Sequence, residues 1–233
     1  YSWRSIHPQA TLHYITSLDQ ANALLQLLQG PVGFDLEWRP SFRKGEPEHP
    51  VSLVQLANSE IILLIQISAM QEFPTKLQEF LENPDFVKAG VAIQGDVKKL
   101  YRDWQVSVCN CVDLSLLARS VDNARWKGKY SASLGLARLV DVYEGLLLPK
   151  GKISRTNWEA KLNAEQQEYA GNDAHSGYII YEKLIAMSNL MPIPPKPVYY
   201  TFDAVRGRLC EPSGIHWFAF NPDYDPGPPP PPK

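Results

Sequence analysis

The chain has 233 residues, 44% hydrophobic and 11% aromatic, enough to bury a sizeable core without disulfide staples. Its 23 Lys+Arg against 25 Asp+Glu leave a formal charge of −2. That balance excludes a global positive field for nucleic acid, though not a local patch. No run of about 18 uncharged apolar residues occurs, so neither a transmembrane helix nor a membrane partner is expected.

Length fits one large domain, or one domain with an appendage. Cys109, Cys111 and Cys210 are too few for a secreted disulfide framework, and Cys109-x-Cys111 lacks the second ligand pair of a zinc site. Buried strand cysteines in an intracellular, reducing compartment are the expectation, with the nucleus favoured. The chain opens on Tyr1 without a basic-then-apolar leader, which reads as an excerpt of a longer protein.

In chain order, Ser17-Leu-Asp-Gln20 has capping-box spacing ahead of Leu24, Leu25, Leu27 and Leu28 at helical intervals. Val32–Trp38, Val51–Ala57, Ile61–Ile67 and Phe86–Val91 read as strands, the first three spaced as antiparallel neighbours. Phe73–Leu81 and Asp96–Trp104 read as helices, and Asn163-Ala-Glu-Gln166 opens a long one to about Met187. Strands first, then alternating strand and helix, predict a mixed α/β sheet covered by helices. Composition shifts near residue 191: 12 of the 20 prolines lie in residues 192–233, ending in the run Pro228–Pro232. A domain over residues 1–190 and a Pro/aromatic-rich C-terminal extension over 191–233 follow. Tyr199, Tyr200, Phe202, Trp217, Phe218 and Phe220 make that extension too aromatic for a disordered tail. It is expected to fold back onto the domain or to dock a protein partner.

Three short strings carry chemistry. In Phe34-Asp35-Leu36-Glu37-Trp38, residues i and i+2 of a strand share a face, so Asp35 and Glu37 point the same way. Like charges held close repel, more so when buried, and a divalent cation compensates them. The plainer reading is an exposed strand end. Asp96 sits where an apolar strand turns through Gly95 into a helix, and its plainer reading is a helix N-cap. In Tyr169-Ala-Gly-Asn-Asp173, the i and i+4 side chains share one helical face, which a half-buried Tyr beside a solvated Asp would also explain. His175 lies off that face and reads as structural or surface.

Together, Phe-Asp-Leu-Glu, Gly-Asp before a helix and Tyr-x3-Asp resemble the three motifs of the DEDDy 3′–5′ exonucleases, in particular the exonuclease domain of the Werner syndrome protein and its relatives. Val51-Ser-Leu-Val-Gln-Leu56, Lys88-Ala-Gly-Val91, Thr156-Asn-Trp158 and the string Tyr169–Tyr181 support the likeness, which covers roughly residues 12–187. Val97-Lys98-Lys99 follows the second motif, where the Werner enzyme has an aromatic residue. A sister subgroup carries His five residues before the last Asp; Glu168 stands there, so the Tyr version applies.

The resemblance implies a ribonuclease H-like three-layer fold with a mixed five-stranded sheet flanked by helices. It also implies two Mg²⁺ or Mn²⁺ ions roughly 3.5–4 Å apart. Asp35 would bridge both, Glu37 and Asp173 would hold the one that activates water, Asp96 would support the second, and Tyr169 would orient the water. Without these four acids the net charge becomes +2. Arg39, Arg43 and Lys44, then Lys98, Lys99 and Arg102, then Arg125, Lys127 and Lys129 around Trp126, are candidate phosphate contacts. Leu36, Trp38 and Trp126 are candidates to wedge or stack a terminal base, core packing being the plainer role of Leu36. The expected activity is removal of nucleoside monophosphates from a DNA or RNA 3′ end, with DNA favoured. A ribonuclease D-like RNA exonuclease and an inactive nucleic-acid-binding or partner-docking module are the alternatives.

Overall fold

The computed structural model describes residues 1–43, 45–149 and 151–228. Lys44 and the prolines from 229 onward lie outside the described residues. The elements are α1 (Trp3–Ile6), β1 (Thr11–Ile15), α2 (Leu18–Leu25), β2 (Val32–Trp38), β3 (Val51–Ala57), β4 (Ile61–Ile65), α3 (Thr75–Glu82) and β5 (Lys88–Gly90). They continue as α4 (Ile93–Trp104), β6 (Val108–Asp113), α5 (Leu114–Val121), α6 (Leu136–Glu144), α7 (Ala164–Asn189), β7 (Thr201–Val205) and β8 (Arg208–Cys210). Among the described residues, no helix is long and apolar enough to cross a membrane.

Apolar β-branched and leucine runs form β2, β3 and β4, which pair antiparallel, while β5 and β6 add parallel strands. The strand order β1-β4-β3-β2-β5-β6-β7-β8 corrects the five-stranded expectation to eight strands. β2, β3, β4 and β5 fall on the four strands read from sequence, and β6 is a further strand that the sequence reading does not name. Thr11–Ile15, short and partly polar, adds β1 parallel to β4, and the Pro/aromatic segment adds β7 and β8 at the far edge.

Period-two alternation sorts the strands between two cores. Phe34, Leu36, Val54 and Leu56 pack with Leu25 of α2, Phe80 of α3 and Val97 of α4. Leu53, Ala57, Ile62 and Leu64 pack on the other face with Ala170 and Ala174 of α7 and with Trp158. The capping box opening α7 is present: Asn163 accepts from Gln166 N at 2.8 Å, and Gln166 Oε1 accepts from Asn163 N at 3.1 Å.

Helix α7 rests on the sheet at Gly33. A Cβ built there would lie 1.8 Å from the Ala174 carbonyl oxygen and 2.6 Å from Tyr178 N. Sheet and helix backbones therefore touch directly, an approach that only glycine permits.

The aromatic segment folds back. Tyr199, Tyr200, Phe202 and Trp217 are buried, with the Phe202 and Trp217 rings 4.6 Å apart, whereas Phe218 and Phe220 stay exposed. Beyond them, residues 221–227 stitch the loop before α6. Tyr224 Oη donates to Trp126 O at 2.7 Å, Gly128 N donates to Pro226 O at 2.8 Å, and Lys127 meets Asp225 at 2.7 Å.

Two outcomes are expected. Gly33→Ala should lower unfolding free energy by about 3 kcal/mol or more, because neither backbone can yield without moving α7; urea denaturation measures it. Deleting residues 197–233 removes four buried aromatics, each contributing about 1.5–3 kcal/mol. The truncated protein should be insoluble or melt more than about 15 °C lower by circular dichroism.

Candidate active site

Strand β2 carries Asp35 and Glu37 on the face that α7 covers, and the Gly33 contact holds α7 low enough for Asp173 to meet them. Ligand oxygens of Asp35, Glu37 and Asp173 all lie within 4.8 Å of one another, with Asp173 buried. Asp35 Oδ1 also accepts from Leu36 N at 3.0 Å. Three carboxylates in such proximity offer hard oxygen donors and mutual repulsion, the combination a hard divalent cation relieves.

Tyr169, one helical turn before Asp173, turns its phenol to the same cluster and hydrogen-bonds Asp173. Burial first, then the charges of Asp173, Glu37 and Asp35, push the phenol far above its ordinary range, so its proton stays on Oη. The ring is backed by Trp158, centroids 6.1 Å apart. Two glutamines fix the loop bearing Trp158. Gln66 Nε2 donates to the carbonyls of Trp158, Glu159 and Ala160 at 3.3, 3.1 and 2.8 Å, and Gln166 Nε2 donates to Thr156 Oγ1 at 3.0 Å.

The fourth acid stands apart. Asp96 lies in the first turn of α4, which starts at Ile93 after a left-handed Ala92 (φ 56°), so it is a helical residue rather than the N-cap. It is outside the three-carboxylate cluster. Burial, then the charge of neighbouring Asp113, pushes its carboxyl up to about 7. Asp113 is itself pushed up to about 6 by burial, against the Leu116 and Ser115 amides that it caps.

Two cavities border the cluster. A cleft of about 420 Å³ is lined by Leu148, Pro149, Lys152 and Ile153 together with Tyr169 and Asp173. A recess of about 120 Å³ reaches Asp35 and Asp173 from the side of Gly90 and Leu136. Lys152 was missed from sequence; its only signal is a lysine next to Gly151, just ahead of Thr156-Asn-Trp158.

Several expected nucleic-acid contacts are otherwise engaged. Leu36 is 3% exposed and belongs to the core, which corrects its reading as a wedge. Trp126 is also 3% exposed, donating Nε1–H to Tyr143 Oη at 2.7 Å beneath the Arg138 guanidinium, so it presents no free face for stacking. Lys99 is 4% exposed, bound to Asp103 (2.9 Å), Glu48 (3.3 Å) and His49 O (2.7 Å) and lying 4.7 Å from the Trp38 ring centroid. It is a buried structural cation, and Trp38 packs half-buried under it. Arg39 pairs with Glu159 (3.5 Å), Arg125 with Asp122 (3.0 Å) and Lys127 with Asp225 (2.7 Å). Arg43 and Lys98 are exposed and make no ion pair among the described residues. His175 is structural: fully buried, it hydrogen-bonds Tyr1 Oη at 2.6 Å and His7 Nδ1 at 2.8 Å.

The 3′–5′ exonuclease family model matches residues 12–188, a span that includes Asp35, Glu37, Asp96, Tyr169 and Asp173. The chain belongs to the 3′–5′ exonuclease family. It is 40% identical over 156 residues to the mouse bifunctional 3′–5′ exonuclease/ATP-dependent helicase WRN, covering 66% of this chain and 11% of that protein. It is 35% identical over 158 residues to a 3′–5′ exonuclease of Arabidopsis thaliana, covering 66% and 52%. The chain thus spans about half or less of the length of these curated relatives. Among solved structures, the Nibbler EXO domain of Aedes aegypti superposes with a TM-score of 0.65 at 27% identity, covering 78% of this chain and 90% of that one. Escherichia coli RNase D shares the ribonuclease H-like fold, with a TM-score of 0.63 at 24% identity over 78% of this chain and 47% of that one.

The Asp96–Asp113 pair has a pH signature. Both acids hold their protons more tightly folded than unfolded, so this stability is complete below the ordinary value of 3.8 and is lost as pH rises through about 7. In EDTA, Asp96→Asn should raise the melting temperature at pH 8, and the gain should shrink toward pH 4; differential scanning fluorimetry across that range checks it.

Proposed function

We propose that this chain hydrolyses nucleic-acid 3′ ends, DNA in preference to RNA, releasing nucleoside monophosphates. Asp35, Glu37 and Asp173 would hold Mg²⁺ or Mn²⁺, and Asp96 would support a second ion from the edge of the site. The meeting of three carboxylates with one protonated phenol carries this reading. A carboxylate cluster alone binds cations, but a neutral hydroxyl beside it suits the orientation of a water for in-line attack. The choice of DNA follows the Werner-type resemblance of the motifs.

Bound divalent ions would lower the pKa of a coordinated water and screen charge on the phosphate. The chain's own residues do the rest. Tyr169 keeps its proton and orients the nucleophile through Oη, acting as neither base nor nucleophile. Lys152 on the cleft wall, with Arg43 and Lys98 on exposed surface, offers cations to backbone phosphates. Leu148, Pro149 and Ile153 give the cleft an apolar wall.

Single-turnover cleavage of 5′-labelled DNA and RNA oligomers tests the reading. Asp35→Ala should abolish cleavage of both, because it removes one of the three carboxylates that meet in the cluster. Tyr169→Phe should slow the chemical step by roughly 10–1000-fold while leaving oligomer binding by fluorescence anisotropy intact, since one oriented hydrogen bond is lost. Mn²⁺ should raise the wild-type melting temperature, by the equivalent of about 2.7 kcal/mol at a hundredfold excess over Kd, and EDTA should reverse it. A wild-type protein that binds oligomers yet cleaves neither, with either metal, overturns the enzyme in favour of a binding module.

A further inference from the structure

Directly across from Asp35 in the antiparallel β2–β3 pair stands Gln55. Partners in such a register share a sheet face, with Cβ atoms about 4.5–5.5 Å apart. The face is the one α7 covers, because Leu53 and Ala57, two residues to either side, lie in the core under that helix. On its other flank Gln55 pairs with Leu64, whose side chain offers no polar atom. Gln55 is 0% exposed, and neither Nε2 nor Oε1 has a hydrogen-bond partner among the described residues.

An amide with two donors and two acceptor lone pairs is a costly group to bury unsatisfied, and an apolar side chain of similar volume would fill the space without that cost. Its neighbours at Leu53, Ala57, Ile62 and Leu64 are apolar. The one charged neighbour in register is a ligand of the carboxylate cluster. We propose that Gln55 is a positioning residue for Asp35: in the cation-loaded protein its Nε2–H donates to the Asp35 carboxylate and holds it in the orientation that coordinates the ion. Outer-shell hydrogen bonds to ligating carboxylates commonly serve this purpose. The inference rests on the metal-binding reading above and adds to it a residue on the strand behind the ligand.

Gln55→Leu keeps volume and removes the donor. Titrated with Mn²⁺ by electron paramagnetic resonance, it should bind about 10–100-fold more weakly than wild type. Its melting temperature in EDTA should be unchanged or higher, since an unsatisfied amide has been replaced by an apolar group. A purely structural glutamine predicts the reverse: a lower melting temperature in EDTA and unchanged Mn²⁺ affinity. Affinity within about twofold of wild type therefore overturns the proposal. The wild-type protein gives a second readout that needs no folded variant. On titration with Mg²⁺, the ¹⁵N-labelled side-chain amide of Gln55 should shift and its protons should exchange more slowly; resonances that stay fixed through saturation overturn it. Wild-type protein that takes up neither ion removes both the metal-binding reading and this inference. Wild-type uptake with an indifferent Gln55 removes this inference alone.

Discussion

The contact between the Gly33 backbone and the Ala174 carbonyl is the constraint on which the site depends. A strand and a helix ordinarily keep a side-chain layer between them; here that layer is missing at one point, and the helix sinks to the sheet. The consequence is electrostatic. Asp173, adjacent to Ala174, is brought within ligand distance of two carboxylates that the pleat of β2 already aligns. Had any side chain stood at residue 33, α7 would ride higher and the acids would be separate surface charges. Apolar packing at Ala170, Ala174, Leu53 and Leu64 supplies the adhesion that keeps mutually repelling groups together.

Charge is arranged around that cluster with economy. Several basic side chains that read as phosphate contacts are tied to acids: Arg39 to Glu159, Lys99 to Asp103 and Glu48, Lys127 to Asp225. The exposed pairs among these contribute little stability each, yet every pair cancels the field that its cation would project. Exposed cations outside the ion pairs of the described residues, Arg43, Lys98 and Lys152 among them, remain for a polyanion.

How much of this was legible in the sequence depended on how local each cause is. Asp35 with Glu37 and Tyr169 with Asp173 were readable because strand and helix periodicity fix which side chains share a face. The cap at Asn163 and the bounds of β2 and β3 were readable for the same reason. The fates of Lys99 and Trp126 were not, since Glu48 lies 51 positions from Lys99 and both residues look like surface chemistry until the partner arrives. β1, β6, β7 and β8 were missed because short strands are defined by pairing, not by composition. Gln55 was hidden differently: the string Val-Ser-Leu-Val-Gln-Leu shows a polar residue in a strand, but only the register with Asp35 gives it meaning.

The order of the sheet has a bearing on how the protein is made. β6 is flanked on one side by β5 and on the other by β7, and β7 follows α7 in the chain, about ninety positions after β6. While synthesis proceeds from the N-terminus, the outer edge of β6 stays open until residues 201–205 emerge. During that interval the Val108 and Val112 backbones present an unpaired edge, the kind that recruits foreign strands. The left-handed Asn110 (φ 53°) and the register shift between Val108 and Cys111 interrupt that edge. An irregularity of this kind is poorly matched to a straight intruding strand. In the finished fold, the Asp203 carboxylate on β7 accepts from the Asn110 amide at 2.7 Å, filling the gap with the one strand built to fit it.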